Sequence, residues 1–179
     1  MRILAISGSL RTGSYNSALL AAAAECQSEI QVVVWRGLDR IPAFNEDLDA
    51  VPSVVTSLRL AIARSDALLI ATPEYNGSIP GVLKNALDWV SRPYSENALR
   101  GKTVAVVGAS QGTFGALWAQ ADLRRILQTI GAEVAGRELP VPRAQEAFTE
   151  EGRVRDPDLA RALCSTIHDL VSQAAQRAA

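Results

Sequence analysis

Short apolar segments alternate with longer amphipathic segments along most of the chain, and this pattern predicts its secondary structure. Four segments are short, apolar and rich in alanine or β-branched residues, which is typical of buried β-strands. They are residues 2–7, 30–35, 67–71 and 103–107, and a weaker fifth strand is predicted at 133–135. Strands that are apolar on both sides indicate a parallel sheet that is covered on both faces.

The segments between the strands repeat apolar residues at the spacing of one helix face. These helical patterns fall on residues 18–26, 54–62, 82–90, 123–130 and 159–171. Alternating strands and helices predict a doubly wound α/β fold with right-handed crossovers. Five strands favour the flavodoxin-like order 2-1-3-4-5 over the six-stranded dinucleotide-binding order. No linker or repeat is visible, so we expect one domain over residues 1–179, a five-stranded parallel sheet with helices on both faces.

The composition limits the classes of partner that the chain can have. Of 179 residues, 48% are hydrophobic and 21% are charged, and the formal net charge is −1. This balance suits a globular domain and gives no reason to expect nucleic acid or a membrane as a partner. The apolar N-terminal stretch is too short for a signal peptide, and no segment approaches the length of a membrane span. Cys26 and Cys164 lack metal-ligand spacing, so we expect two buried, reduced thiols and a cytoplasmic location.

The loop after the first strand concentrates groups that bind anions. It leads into a helix, whose first N–H groups are unpaired and carry the positive end of the helix dipole. Hydroxyl groups at Ser9, Thr12, Ser14 and Ser17 add donors, and Arg11 adds a planar guanidinium suited to phosphate. Helix capping is the alternative interpretation, but capping alone needs only one such residue. We therefore predict a phosphate site in this loop.

The kind of phosphate follows from residues that the loop lacks. The spacing Gly8…Gly13-Ser14 imitates a nucleotide triphosphate loop, but position 14 does not hold the lysine that reaches the β- and γ-phosphates. The G-x-G-x-x-G pattern of dinucleotide-binding folds is absent, and no cysteine offers a thiolate nucleophile. A terminal monophosphate that is bound and not hydrolysed, such as that of FMN, fits these features.

Two further loops are expected to hold a flat ring in the crevice at the carboxyl ends of the strands. The loop after the third strand is stiffened by prolines and contains Pro73, Glu74, Tyr75, Asn76 and Gly77. Its backbone, tyrosine and asparagine groups can contact the polar edge of a heterocycle. The loop after the fourth strand supplies Ser110, Gln111 and Gly112 as a second wall. A stiff surface turn and a flexible connection are the alternative interpretations of these two loops.

The chain offers few groups for acid–base or nucleophilic chemistry. His168 is the only histidine, and we expect a structural role for it among apolar residues of the last helix. One histidine and two distant cysteines cannot form a metal site. We expect Glu74 to face solvent or a partner and not to be catalytic. A binding site without catalytic side chains indicates an enzyme whose cofactor carries the chemistry.

Several motifs together resemble the NADPH-dependent FMN reductase family, which includes bacterial quinone, azo and chromate reductases. They are Gly8-Ser9-Leu10-Arg11 with Ser14 and Asn16, then Pro73-Glu74-Tyr75-Asn76, then the ten residues from Pro80 to Trp89. Gly101-Lys102 and the six residues from Ala147 to Gly152 extend the resemblance over nearly the whole chain. Each motif is weak alone, whereas the combination is specific.

The resemblance implies FMN bound in a flavodoxin-like domain. The phosphate would lie against Ser9, Arg11, Ser14, Tyr15, Asn16 and Ser17, and the ring against Pro73, Glu74, Tyr75, Asn76 and Gly77 on one side and Ser110, Gln111 and Gly112 on the other. NADPH or NADH would pass a hydride to flavin N5 and leave before a small-molecule acceptor binds. Family members usually pair as homodimers or homotetramers, which makes Trp89 and Tyr94 interface candidates, with burial in the protomer equally open for Trp89.

Three alternative functions stay open from the sequence. A flavodoxin-type electron carrier would bind FMN without its own NAD(P)H turnover, although such carriers are usually strongly acidic. An FMN-based redox sensor would use the same pocket without turnover, and a regulatory domain would bind no flavin. The residues do not identify the acceptor among quinones, azo compounds, chromate and free flavin. They also do not distinguish NADPH from NADH.

Overall fold

The computed structural model describes residues 1–178, which form one parallel sheet and its surrounding helices. The strands are β1 (Arg2–Ser7), β2 (Gln31–Trp35), β3 (Ala67–Thr72), β4 (Thr103–Ala109), β5 (Glu133–Val134) and β6 (Leu139–Val141). The helices are α1 (Tyr15–Ala23), α2 (Ser53–Ala63), α3 (Gly81–Val90), α4 (Leu117–Thr129), α5 (Ala144–Ala147) and α6 (Pro157–Ala178). Short 3₁₀ turns lie at Leu38–Arg40 and Tyr94–Glu96.

The strand order is β2-β1-β3-β4-β5, with every pair parallel, so the predicted flavodoxin-like order is confirmed. Ser7 pairs with Ala71 at the ends of β1 and β3, and Thr72 pairs with Gly108 near the end of β4. The carboxyl ends of the three central strands therefore meet at one edge of the sheet. The loops that follow them begin side by side.

The far edge of the sheet differs from the prediction of a single fifth strand. β5 pairs with the beginning of β4, and β6 pairs with its end, so two short strands share one neighbour. The chain leaves the sheet between them, where Gly136 has a φ of 62° and Arg124 donates to the Gly136 carbonyl at 2.8 Å. β6 contains Pro140, which an edge strand can accommodate because the missing N–H of the proline can face away from the sheet.

Two apolar clusters fill the two faces of the sheet, as predicted. One cluster joins Leu58 of α2, Leu83 of α3 and Leu123 of α4, and the other joins Leu19 of α1 and Leu163 of α6. The residues of β3 and β4 alternate between the two clusters, and both strands are buried along their whole length. Burial on both faces explains why these strands are apolar apart from the threonines Thr72 and Thr103. The outcome is a rigid platform beneath the loops at the carboxyl edge.

The prediction of two reduced cysteines is wrong. Cys26 and Cys164 form a disulfide, with their Cα atoms 5.1 Å apart and 138 residues between them in the sequence. The bond joins the chain just beyond α1 to the middle of α6, which pack side by side on one face of the sheet. Because the approach of these two helices is a tertiary contact, residue spacing alone could not reveal the pair.

Three aromatic side chains outside the carboxyl edge take positions that the sequence had left open or placed elsewhere. Trp89 is buried within the protomer, where its indole N–H donates to the Pro42 carbonyl at 2.9 Å and Phe44 meets its ring edge-on. Tyr94 is exposed, with the Arg100 guanidinium 4.0 Å above its ring centroid. His168 lies on α6 as expected, but it is exposed and is not buried among the apolar residues of that helix. None of the helices in residues 1–178 combines the length and apolar character that crossing a membrane requires.

Candidate cofactor-binding site

Three loops meet at the carboxyl edge of the sheet: loop 1 (residues 8–14), loop 2 (residues 73–80) and loop 3 (residues 110–116). The Gly8 N–H donates to the Ala71 carbonyl at 2.8 Å, which ties loop 1 to the end of β3. The Asn16 side chain forms two hydrogen bonds of 3.0 Å with the backbone of Ala109, at the end of β4. These contacts hold the three loops around one crevice, in the arrangement that the strand order predicts.

Loop 1 presents a row of unused hydrogen-bond donors. The backbone N–H groups of residues 12–16 donate to no acceptor within the described residues. The Ser14 side chain caps α1 by accepting from the Ser17 N–H at 3.4 Å, which leaves the preceding N–H groups free. Arg11 is exposed and forms no salt bridge within residues 1–178. Such a set of N–H groups and one guanidinium at a helix start fits a phosphate group.

Hydrogen bonds of serine hydroxyls connect loop 1 to the end of β1 and the first turns of α1. The Ser17 hydroxyl lies 3.1 Å from the Ser7 hydroxyl, which also accepts from the Ser9 N–H at 3.3 Å. The Ser9 hydroxyl in turn accepts from the Arg11 N–H at 3.4 Å. Ser7 is the last residue of β1, and sequence reasoning treated it only as part of a strand. Its hydroxyl connects the helix start to the loop and thereby fixes the direction of the free donors.

Two of the residues predicted to bind phosphate use their side chains within the protein. Asn16 is 3% exposed, and its side-chain amide forms its two hydrogen bonds with the Ala109 backbone. The Tyr15 ring stacks on Phe148, with 5.6 Å between the ring centroids. Their backbone N–H groups, in contrast, belong to the free row in the first turn of α1. A contact of these two residues with phosphate would therefore run through the backbone.

Loop 2 contains a two-residue hairpin turn. Tyr75 and Ser78 exchange backbone hydrogen bonds of 3.0 and 3.1 Å. Between them, Asn76 has a φ of 54° and Gly77 a φ of 75°. Positive φ at both central positions is the geometry of a type I′ turn, for which Asn-Gly is the preferred sequence. The turn holds the exposed Tyr75 ring and the free Asn76 and Gly77 N–H groups at the mouth of the crevice.

Two side chains of loop 2 bind the start of α4. The Glu74 carboxylate accepts from the Ala119 N–H at 3.1 Å, where it satisfies a donor in the first turn of the helix. The Ser78 hydroxyl donates to the Asp122 carboxylate at 2.5 Å. The expectation that Glu74 faces solvent or a partner is thus corrected, because its carboxylate caps a helix that is distant in the sequence. Hydrogen bonds from Ser78 and then Arg125 hold the pKa of Asp122 below the usual range of a carboxyl.

Loop 3 closes the crevice on the β4 side. The Ser110 N–H donates to the Val141 carbonyl at 3.1 Å, and the Gly112 carbonyl accepts from Arg143 at the same distance. Gln111 and Gly112 are exposed at the mouth, and their N–H groups donate to no acceptor within the described residues. Sequence reasoning missed an aromatic pair at this loop: Phe114 of loop 3 and Trp118 of α4 are half exposed, with ring centroids 4.5 Å apart.

The three loops begin side by side at the carboxyl edge of the sheet, with the free N–H groups and Arg11 at loop 1 and further free N–H groups in loops 2 and 3. Histidine, cysteine, aspartate and glutamate residues form no cluster suited to a metal ion within the described part of the chain. The fold is flavodoxin-like, and the free donors of loop 1 fit a phosphate group. A solved structure of FerB, a flavoenzyme NAD(P)H:(acceptor) oxidoreductase from Paracoccus denitrificans, is similar, with a TM-score of 0.85 and 35% identity over 98% of this chain and 97% of that chain.

Sequence comparison identifies the family. Residues 1–146 match the family of NADPH-dependent FMN reductases. The chain is 45% identical to an NAD(P)H-dependent FMN reductase of Pseudomonas aeruginosa, covering 91% of this chain and 89% of that protein. It is 35% identical to a quinone reductase of Pseudomonas putida, covering 86% and 84% respectively. The chain belongs to the NADPH-dependent FMN reductase family, as the motifs in loops 1 and 2 had indicated.

Proposed function

We propose that the chain is an NAD(P)H-dependent FMN oxidoreductase that delivers electrons to quinones or similar small acceptors. The observation that carries this proposal is the row of free N–H groups at residues 12–16 beside Arg11, next to a stiff loop that can hold a ring. Relatives named FMN reductase and quinone reductase support both the cofactor and the class of acceptor. The names of these relatives give no specific support for azo compounds or chromate.

In this proposal different loops bind different parts of the cofactor. Loop 1 binds the FMN phosphate through its N–H groups, with the Arg11 guanidinium as the counter-charge. Loop 2 and loop 3 hold the isoalloxazine ring between Tyr75 and Gly112. The whole described chain then serves as one FMN-binding domain. Bound FMN supplies the chemistry, since it accepts a hydride from NAD(P)H and passes the electrons on.

The task of the protein is to orient the ring and to favour its reduced form. The free N–H groups of Asn76, Gly77, Gln111 and Gly112 can donate to the polar edge of the ring, where negative charge develops on reduction. The tied hairpin fixes two of these donors before the ring binds, so little reorganisation is needed. Glu74 is the one carboxylate in loop 2, and it accepts a hydrogen bond from the Ala119 N–H of α4. Loop 2 therefore offers no free carboxylate for acid–base chemistry, and the cofactor carries the reaction.

We also propose a homodimer or homotetramer that forms through α3 and α4. A groove of about 480 Å³ between these helices carries both signs of charge, including Lys84, Asp88, Asp122 and Arg125. A surface of paired opposite charges can complement itself when two copies meet about a two-fold axis. Light scattering after size-exclusion chromatography tests this point. We expect the mass of two or four chains, and the mass of a single chain would contradict the proposal.

We propose a cytoplasmic location because the reaction consumes NAD(P)H. The Cys26–Cys164 disulfide is unusual for that compartment, where thiols are normally kept reduced. Fractionation of cells with thiol alkylation at lysis tests the location and the disulfide together. We expect the chain in the cytoplasmic fraction, and recovery of the chain in an exported fraction would contradict the proposal.

A visible spectrum of the purified protein, followed by anaerobic reduction, tests the function most simply. We expect a bound flavin that is bleached by NADPH or NADH and recovers its colour when a quinone is added. A flavin that is bleached only by a chemical reductant would favour an electron carrier. Bleaching without turnover on any quinone would favour a sensor, and a colourless protein that binds no added FMN would contradict the proposal altogether.

A further inference from the structure

Helix α1, whose first turn offers free N–H groups to the FMN phosphate, is short. It has nine residues, from Tyr15 to Ala23. A helix of this length is marginal in isolation, so its stability depends on contacts with the rest of the fold. The alignment of the N–H groups at its start therefore depends on the segments that hold α1 in place.

The C-terminal part of the chain contacts α1 at its start. The Phe148 ring stacks on Tyr15 in the first turn of the helix. The Gly152 N–H donates to the Thr149 carbonyl at 3.0 Å and so closes a tight turn. This turn lies against α1, because a Cβ added at Gly152 would lie 3.7 Å from the Cβ of Ala18.

The Cys26–Cys164 disulfide joins the same two parts of the chain beyond the other end of α1. Cys26 lies in the turn after the helix, where its N–H donates to the Ala23 carbonyl at 3.3 Å. Cys164 lies in α6, and Leu19 of α1 and Leu163 of α6 belong to one apolar cluster. The helix is thus attached to the C-terminal part of the chain at both ends, by an aromatic stack at its start and a covalent bond beyond its end.

The disulfide lies where a small thiol compound can reach it. Cys26 and Cys164 are both half-buried, and neither is enclosed in the core. Accessible disulfides exchange with thiols more readily than enclosed structural ones. In a compartment where thiols are kept reduced, a protein disulfide is usually transient and serves catalysis or redox sensing.

We propose that the Cys26–Cys164 pair is a redox switch that sets how tightly the chain retains FMN. With the disulfide formed, α6 holds α1, and the N–H groups of residues 12–16 stay aligned for the phosphate. With the disulfide reduced, the end of α1 is released, the helix start is ordered in a smaller fraction of the molecules, and the affinity for FMN falls by that fraction. The inference rests on the proposed function, because it regulates binding of the cofactor of that reaction.

The switch operates by thiol–disulfide exchange with a small partner. A dithiol attacks one sulfur and the Sγ–Sγ bond breaks. Two electrons and two protons pass from the dithiol to the cysteine pair, so the pair becomes two thiols and the dithiol becomes a disulfide. Glutathione disulfide reverses the step, because it takes up two electrons and two protons from the pair and leaves as two molecules of glutathione.

Titration of FMN and riboflavin into flavin-free protein tests the switch in its oxidised and reduced forms. The reduced form is prepared with dithiothreitol and desalted under nitrogen, and thiol alkylation with mass spectrometry reports the state of the pair. We expect reduction to raise the dissociation constant for FMN at least about threefold, as for a helix start that is ordered in about a third of the molecules. The dissociation constant for riboflavin should not change, because α1 is assigned only to the phosphate.

Two variants and one flavin-free measurement serve as controls. Cys26→Ser cannot close the bond and should bind FMN as weakly as the reduced wild type, with or without glutathione disulfide. Ser165→Ala alters an exposed residue next to Cys164 and should keep the redox response of the wild type. In flavin-free protein, reduction should speed hydrogen exchange of the α1 amides and leave α4, on the other face of the sheet, unchanged.

Equal FMN affinity of the oxidised and reduced forms would overturn the switch, and so would a pair that stays reduced in glutathione disulfide. An equal loss of affinity for FMN and riboflavin would mean that reduction loosens the whole domain, which would overturn the role of α1. A protein that binds no FMN in either form would contradict the proposed function. Hydrogen exchange needs no flavin, so α1 exchange that is unchanged by reduction would overturn the inference separately, and faster α1 exchange would support it.

Discussion

Loop 1 and loop 2 lie next to each other at the same edge of the sheet, but they differ in their hydrogen bonding. Many donors of loop 1 are free, whereas several polar groups of loop 2 are bonded within the protein. Loop 1 and the first turn of α1 leave the N–H groups of residues 12–16 and the Arg11 guanidinium without protein partners in the described chain. Loop 2 ties its backbone into a hairpin and its Glu74 and Ser78 side chains to α4. The difference separates two tasks, because free donors supply affinity for an anion and a tied loop supplies fixed geometry for a ring.

The largest effect should follow from removing the cation of loop 1. We expect Arg11→Ala to raise the dissociation constant for FMN about 30- to 150-fold, since a guanidinium–phosphate contact contributes about 2 to 3 kcal/mol. The melting temperature of the flavin-free protein should change little, because Arg11 is exposed and unpaired. Flavin content after dialysis measures the effect, and Arg64→Ala is the matched control. Full flavin retention in Arg11→Ala would mean that Arg11 of loop 1 does not contribute to FMN affinity.

A smaller effect, on stability rather than on affinity, is expected when loop 2 is released from α4. Glu74→Ala leaves the Ala119 N–H without its acceptor and should lower the free energy of unfolding by about 1 kcal/mol, as for the loss of a helix cap. Glu74→Gln keeps an acceptor oxygen and should lose less. Urea denaturation of the flavin-free variants measures both changes. Equal stability of wild type and Glu74→Ala would mean that this contact does not hold loop 2.

The hairpin turn of loop 2 should be sensitive to backbone conformation alone. Gly77 has a φ of 75°, and an added Cβ would meet no atom within 4 Å, so Gly77→Ala carries a conformational cost without a clash. We expect a loss of about 1 kcal/mol, the lower end of the cost of a left-handed conformation for a residue with a Cβ. Asn76→Gly relaxes the neighbouring positive φ and serves as the opposite change, with no loss expected. Loss of stability in Asn76→Gly but not in Gly77→Ala would contradict the type I′ assignment.

The smallest effect should depend on pH. The pKa of Asp122 is lowered in the folded protein, so its contribution to stability is present above the ordinary pKa of a carboxyl and is lost as the pH falls through the lowered value. Ser78→Ala removes the leading cause of that shift and should reduce the melting temperature at neutral pH more than at about pH 3. Ser57→Ala, on the exposed side of α2, is the control. An equal loss at both pH values would contradict a role for the ionised carboxylate.

Much of this fold follows from the sequence because its strands are buried on both faces. A strand such as β3 is apolar from Ala67 to Ala71, so its identity does not depend on knowing its neighbours. Loop 1 could be recognised for a similar local reason, since its arginine, hydroxyl groups and helix start are contiguous in the chain. The Asn-Gly pair of loop 2 also favours a hairpin turn on its own, although only a stiff loop was predicted there.

Features that depend on distant contacts could not be derived in this way. The pairing of Cys26 with Cys164 requires the packing of α6 against α1. The Glu74 contact with Ala119 requires the position of α4 relative to loop 2. β6 lies beside β4 only because the chain returns to the sheet after leaving it at Gly136. Each of these contacts joins segments that are far apart in the sequence. The local pattern of one segment therefore does not identify the segment that it contacts.

Comparison of FMN with riboflavin in wild-type and Arg11→Ala protein tests the central claim most directly, because the two ligands differ only in the phosphate. We predict that the wild type binds FMN at least about 100-fold more tightly than riboflavin, since several N–H groups and one guanidinium would contact the phosphate. Arg11→Ala should reduce that ratio at least about 30-fold while its affinity for riboflavin stays the same. Equal binding of the two flavins by the wild type, or an unchanged ratio in the variant, would contradict the assignment of loop 1 to the phosphate.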